Sequence, residues 1–269
     1  MTALFGVALN GFLKTLGIFV FDEEITTMKK PKMILFDYGQ TLVNQARFDG
    51  VKGSREILKY AASNKYGLSA EQLQEKANEL NKELGRFEPE NRHKYQVEIP
   101  NHMFTAYLYE SLGIRLELSA EEIDAVFWDA AAPGKPTEDI EDFLSYLNET
   151  GIRSGVISNI SFTGSVVKKR ICDLLPNNHF EFIIATSEYL FRKPSRRIFE
   201  LALEMAELES KDVWYIGDDY ECDVVGARNA GIYPVRYIGA IDTVYERKDD
   251  VMEISSWAEL MAFIKDKTH

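Results

Sequence analysis

Four short stretches of the chain concentrate side chains that could do chemistry, each beside a predicted turn. The first is Asp37, delivered by the apolar run Met33-Ile34-Leu35-Phe36 into the turn Tyr38-Gly39-Gln40. Such a run is too short for a helix and suits a strand buried on both faces of a parallel sheet, at whose carboxyl end ligands bind. A plain Asx turn accounts for the same pattern. The second is Ser158-Asn159, a hydroxyl and an amide closing another apolar run. Both are neutral donors suited to a phosphoryl oxygen, and both are also common turn and cap residues. The third is Lys193, set between Arg192 and Pro194 ahead of a predicted helix, where the proline holds it near a positive helix end. In the fourth, Gly217-Asp218-Asp219 ends the run Val213-Trp214-Tyr215-Ile216 and Asp223 opens the next helix. Carboxylates crowded at a strand end are unfavourable unless a cation neutralises them. Mg2+ is the natural candidate, because it takes hard oxygen ligands and bridges carboxylates to phosphate. Helix capping by acids would explain Asp223 but not Asp218 and Asp219.

Groups so far apart in sequence meet only if the strands carrying them end together. After residue 136 the pattern alternates: helix 138–149, strand 154–157, helix 163–175, strand 182–185, helix 196–207, strand 213–216, helix 224–230 and strand 235–238. A tail of strand 251–254 and helix 257–265 adds a further unit. This alternation predicts an α/β core, a Rossmann-like parallel sheet with helices on both faces, built from residues 33–43 and 137–269. Residues 44–136 instead show helical periodicity at 52–64, 70–86, 101–112 and 120–131, with no strand between them. Ser69-Ala70-Glu71-Gln72 and Ser119-Ala120-Glu121-Glu122 are capping boxes. The segment therefore reads as an inserted all-helical cap, with hinges at 43–50 and at 132–136, where Pro133-Gly134-Lys135-Pro136 stops the helix. In residues 1–32, an N-terminal extension, Phe5, Leu9, Phe12, Leu16 and Val20 share one helical face. Lys14, Asn10 and the absence of a basic start argue against a signal peptide or membrane anchor there.

Composition narrows the partners. With 45% hydrophobic and 28% charged residues the chain reads as globular, and its net charge of -12 disfavours nucleic acid and anionic membranes. Cys172 and Cys222 form no CxxC pair, which fits a reducing cytoplasm. His93, His102, His179 and His269 show no zinc-ligand spacing. A monomer or homodimer acting on a small molecule is expected.

Taken in order, the four stretches resemble the haloacid dehalogenase superfamily, in its phosphatase-like branch with a helical cap of the first insertion type. The resemblance runs from about Met33 to Ile238 and implies roles. Asp37 becomes the nucleophile that forms an aspartyl-phosphate. Ser158, Asn159 and Lys193 hold the phosphoryl oxygens. Asp37, the backbone carbonyl of Gly39 and Asp218 ligate Mg2+, with Asp219 and Asp223 supporting the metal and its waters. One departure stands out: most phosphatases of this family carry a second Asp two residues after the nucleophile, where this chain has Gly39. General acid-base help contributes roughly 100-fold to 10,000-fold, so its loss must be met by an easy leaving group, by an acid from the cap, or by a protein that binds without turnover. A metal-free 2-haloacid dehalogenase and a non-catalytic phosphate-binding module are the rival readings; the acids at 218 and 219 argue against the former. Arg47, Arg92, His93 and Lys94 are candidate cap residues for the substrate.

Overall fold

The computed structural model describes residues 29–86, 96–240 and 246–266. The helical face expected over 3–21 and the cap candidates Arg92, His93 and Lys94 lie outside the described residues. In chain order the elements begin with β1 (Met33–Phe36), β2 (Val43–Gln45), α1 (Gly50–Leu58), β3 (Ala61–Asn64) and α2 (Ala70–Glu83). There follow α3 (Asn101–Ser111), β4 (Ile114–Leu116), α4 (Ala120–Ala131) and β5 (Gly134–Pro136). The remainder is α5 (Ile140–Glu149), β6 (Arg153–Ser158), α6 (Gly164–Leu174), β7 (Ile183–Ala185), α7 (Arg196–Ala206) and β8 (Val213–Gly217). It closes with α8 (Gly226–Asn229), β9 (Tyr233–Tyr237), β10 (Met252–Ile254) and α9 (Trp257–Asp266).

Six strands form one parallel sheet in the order β10-β9-β8-β1-β6-β7. Strand β1 is central, with Phe36 opposite Val156 of β6 and Ile216 of β8. Every side chain of β1 is buried, which is why the strand reads as an unbroken apolar run. Strands on the two sides of β1 come from successive passes of the chain, so β1 is the switch point outside whose carboxyl end a ligand crevice forms. On one face, Phe143 of α5 and Trp257 of α9 cover Phe36, with the Trp257 ring stacked on Tyr237 at 4.5 Å and on Phe143 at 5.2 Å. On the other, Ile198 and Phe199 of α7 and Ala227 of α8 cover Leu35 and Tyr215. The expected α/β core with helices on both faces is present. Among the described residues no helix is long and apolar enough to cross a membrane.

The insertion gathers α1 to α4 around Ile57, Leu73, Phe104, Leu108 and Ile123, and both expected capping boxes are formed. It is not all-helical as expected. The helix predicted over 52–64 ends at Leu58, and β3 pairs antiparallel with β4. Ala61-Ala62-Ser63-Asn64 offers no apolar stripe to bury. The Asn64 amide donates to the Leu68 carbonyl at 2.9 Å while its oxygen accepts from the Leu68 N–H at 3.0 Å, an alternative to helical bonding. The expected hinges are also structured: β2 and β5 pair antiparallel, Val43 opposite Pro136 and Gln45 opposite Gly134, so the cap stands on a two-stranded stalk. Gly134 permits this approach, since a Cβ there would lie 2.6 Å from Val43 Cγ1. Below the stalk, Thr137 Oγ1 donates to the Thr41 carbonyl at 2.8 Å and accepts from Trp257 Nε1 at 3.0 Å, tying it to the core.

Candidate active site

Three adjacent strands end side by side, and each delivers a polar group at its carboxyl end: Ser158 from β6, Asp37 from β1 and Asp218 from β8. The Asp37 amide donates to the Ile216 carbonyl at 2.8 Å, which carries the ladder one residue past β1 and fixes the carboxylate at the crevice. Ser158 is buried beside it at the end of β6, in register with Ala185.

Lys193 is the hub. Its side chain is 2% exposed, and its Nζ donates at 2.6 Å to each of Asp37 Oδ1, Asp223 Oδ1 and Tyr215 Oη. All three ammonium protons are thus used. Burial alone would lower this lysine, but the carboxylates of Asp223 and Asp37 prevail and hold it well above its ordinary range. Asn159 fixes the lysine backbone from both sides: its Nδ2 donates to the Lys193 carbonyl at 2.9 Å and its Oδ1 accepts from the Lys193 N–H at 2.7 Å. The sequence reading gave Asn159 to the phosphoryl group; here one Nδ2 N–H and the Oδ1 are bonded to the chain segment that presents Lys193, so Asn159 also fixes the position of that lysine.

The acids sort differently from the expectation. Asp37, Asp218 and Asp223 each offer an oxygen within 4.8 Å of the others, the kind of hard-oxygen set that suits Mg2+. Asp219 is outside that set. Its Oδ1 accepts from the N–H groups of Glu221 at 3.1 Å and Cys222 at 2.9 Å, capping a π-helical turn over Tyr220–Val225. The helix expected over 224–230 is shortened accordingly, with α8 starting at Gly226. This widely wound turn brings Asp223 back against the end of β8, where its Oδ2 accepts from the Asp219 N–H at 2.9 Å. Gly217 is required for that approach, because a Cβ there would lie 2.3 Å from Asp223 Cγ. Burial raises Asp223 to about 6 despite the opposing pull of Lys193. Burial, then Asp223 and Asp37, pushes Asp218 well above the ordinary carboxylate range. Both shifts mark a site with more negative charge than Lys193 balances, which a divalent cation would relieve. The residues present fit that cation.

Tyr215 was not legible as a site residue. Its hydroxyl lies 3.2 Å from both the Ile157 carbonyl and Asp223 Oδ1, either of which accepts its proton, and burial raises it well above its ordinary range. A tyrosine inside an otherwise apolar strand was the available signal. Beyond the crevice, a cavity of about 530 Å3 lies between cap and core. Arg47, the cap candidate inside the described residues, lines it together with Gln40, Gln45 and Asn159, which border Asp37 and Lys193. Gly39 forms a bridge with Val43, and a Cβ on it would come 3.0 Å from Gln45 Oε1. No carboxylate in the loop takes the place of the missing acid.

This fold and this set of residues are those of a hydrolase family, and the chain belongs to it: the haloacid dehalogenase-like hydrolases, whose family description matches residues 31–231. Among relatives, the human haloacid dehalogenase-like hydrolase domain-containing protein 3 is 32% identical over 110 residues, 39% of this chain and 41% of its own length. The chain thus spans about two fifths of that relative. Glyceraldehyde 3-phosphate phosphatase of Methanopyrus kandleri is 26% identical over 249 residues, 87% of this chain and 97% of that one. Among solved structures, a 2-haloacid dehalogenase from Pseudomonas syringae pv. Tomato DC3000 superposes with a TM-score of 0.60 at 20% identity, covering 89% of this chain and 99% of that one. The likeness to this structure speaks to the fold alone.

Proposed function

We propose that the protein is a phosphohydrolase that cleaves a small phosphorylated metabolite through an aspartyl-phosphate on Asp37, assisted by Mg2+. The observation that carries this reading is the convergence of Asp37, Asp218 and Asp223 on one point, with Lys193 bonded to two of them. A metal-free attack on a carbon halide has no use for that second and third acid. The phosphatase name of the Methanopyrus relative supports the same choice.

The Asp37 carboxylate attacks phosphorus, the ester oxygen departs with its electron pair, and water then cleaves the acyl phosphate to free Asp37 and inorganic phosphate. Dividing the displacement in two lowers the barrier to each part. Lys193 screens the repulsion between Asp37 and the incoming anion, and the Ser158 hydroxyl donates to a phosphoryl oxygen. Asn159 keeps the lysine in place. When bound by Asp37, Asp218, Asp223 and the Gly39 carbonyl, Mg2+ would neutralise charge on the phosphoryl group.

Phosphate release should fall to background when EDTA removes the metal and return with Mg2+. Unchanged release after complete removal would sink the metal-assisted reading, and halide release from a 2-haloacid would move the assignment to the dehalogenases.

A further inference from the structure

Glu98 belongs to the inserted segment, between α2 and α3, yet its side chain is buried against the core and the residue is 3% exposed. A carboxylate so placed has to be matched by opposite charge and hydrogen bonds, and here core groups on both sides of the crevice supply them. Its Oε2 lies 3.4 Å from Arg192 Nη1 and accepts at 2.9 Å from the hydroxyl of Thr186, the fully buried residue that follows β7. Its Oε1 lies 3.6 Å from Arg86 Nη2. Arg192 adjoins Lys193. Thr186 leads to the other loop, because its Oγ1 accepts at 2.9 Å from the N–H of Ile160, which stands just past Ser158 and Asn159.

The hydroxyl gives this chain of contacts a direction. Thr186 has one proton to give and two acceptors within reach, the Glu98 carboxylate at 2.9 Å and the Ile160 carbonyl at 3.2 Å. The charged and nearer acceptor takes it, which leaves an oxygen lone pair for the Ile160 N–H. Without the carboxylate the hydroxyl can turn onto the Ile160 carbonyl, and the hold on the loop after Ser158 is loosened.

On the Lys193 side the backbone contributes as well. The Glu98 N–H donates to the Leu190 carbonyl at 2.7 Å, the Arg192 N–H donates to the Gln96 carbonyl at 3.0 Å, and Val97 forms an antiparallel bridge with Phe191. Leu190 has a φ of 68°, a left-handed conformation that side chains such as leucine rarely adopt, and it is 56% exposed, so packing does not hold it there. The Glu98 N–H meets its carbonyl instead. Asn159 then joins the two loops through its bonds to the Lys193 backbone.

From this geometry, and resting on the phosphohydrolase reading above, we infer that Glu98 is a positioning residue of the reaction: through Thr186 and Arg192 it sets the Ser158 loop and the Lys193 loop at the spacing that the phosphoryl group requires. The inserted segment thereby contributes to the alignment of the phosphoryl site and not only to the cavity above it.

The full chain with Mg2+ is assayed on p-nitrophenyl phosphate, well below the melting temperature of each variant and per mole of folded protein. Glu98→Gln keeps the shape and removes the charge, and Thr186→Val keeps the volume and removes the hydroxyl. Each should lower kcat by about tenfold, the order of one hydrogen bond lost, and the double variant should stay within about twofold of the poorer single one, as for residues that act as a unit. Thr186→Ser, which restores the hydroxyl and lacks only a methyl, should recover kcat to within about threefold of the wild type. Lost packing alone would give the reverse order, with the serine variant harmed and the valine variant spared. Amide exchange reads the same positioning without turnover: the Lys193 N–H, which neither substitution touches directly, should exchange about tenfold faster in Glu98→Gln and in Thr186→Val than in the wild type. If Glu98→Gln fails to fold, the two Thr186 variants decide. Unchanged kcat in Glu98→Gln and Thr186→Val, or a serine variant as impaired as the valine one, would overturn the inference while leaving the phosphohydrolase reading intact. Absence of phosphate release from any ester by the wild type would remove that reading by itself, and unchanged exchange at Lys193 would then overturn the positioning role as well.

Discussion

At the scale of single residues, Gly39 is where the chain departs from its family, and the structure makes the departure testable. A Cβ on residue 39 would meet only the end of the Gln45 side chain, with Oε1 at 3.0 Å and Cδ at 4.0 Å, so an aspartate fits once that amide turns aside. If the natural leaving group is a good one, such as an anomeric oxygen or a carboxylate, protonation contributes little and glycine is sufficient. Gly39→Asp should then raise turnover of alkyl phosphates by roughly 10-fold or more, and of acyl or anomeric phosphates much less. Equal gains on both kinds of ester would refute that account and point to an acid from the cap. Asp37 and Asp218 were legible because apolar runs announce buried strands and polar residues just past a strand end stand at the crevice, and Lys193 because Pro194 and a predicted helix start follow it. The division of labour between Asp219 and Asp223 was not. The resemblance gave Asp219 and Asp223 one role, support of the metal and its waters, whereas Asp219 caps the π-helical turn and Asp223 is turned onto Lys193. That outcome depends on how tightly the backbone winds, which residue types do not reveal. Tyr215 was hidden for a different reason, since an aromatic residue in a buried strand satisfies core packing on its own.

Between elements, the cap is fastened to the core by polar contacts that no periodicity could announce, because each joins residues far apart in sequence. Asp124, buried on α4, accepts from Asn101 Nδ2 at 2.7 Å and from the Thr163 N–H at 2.8 Å, so a cap residue caps the core helix α6. Arg170 of α6 donates to the Ala132 carbonyl at 2.7 Å and to Tyr38 Oη at 3.0 Å, pairs with Asp129, and lies 4.4 Å from the Trp128 ring centre. It thereby holds the end of α4 and the loop after Asp37 to one another. Asp124→Ala removes the acceptor shared by Asn101 and Thr163 and leaves both donors unmet. We expect a loss of about 1–3 kcal/mol in denaturant unfolding and faster amide exchange in the first turn of α6. Unchanged exchange at that turn would mean the latch is not closed in solution. The capping boxes of α2 and α4 were readable because they are local; β3, β4 and the stalk were not, because pairing with a distant strand overrides a weak local preference.

At the scale of the whole molecule, the latch, the stalk and the cavity bear on one another. The segment 96–98 bridges to the core through Glu98 N–H to the Leu190 carbonyl at 2.7 Å and Arg192 N–H to the Gln96 carbonyl at 3.0 Å. Together with Asp124 these contacts fasten the cap to the core beside the cavity, so a movement of the cap would change the access to it. Alternation in the sequence exposed the two bodies of the chain, but the space between them belongs to neither and had no signature. Because β2 and β5 are hydrogen-bonded to each other, the cap should swing on the stalk as a unit rather than on two independent hinges. A reversible tether tests this. Glu121 on the cap accepts from the Ser165 hydroxyl of the core at 2.6 Å, and neither residue lines the cavity or the crevice. In a Cys172→Ser background, Glu121→Cys with Ser165→Cys can be joined by a short cleavable thiol cross-linker. Turnover of the phosphate ester that the wild type cleaves best should fall at least about tenfold in the tethered protein and recover on cleavage, as expected where lid opening gates access. The uncrosslinked double variant is the control for damage by substitution. Full activity in a preparation shown by mass to be tethered would mean that substrate reaches Asp37 without the cap moving.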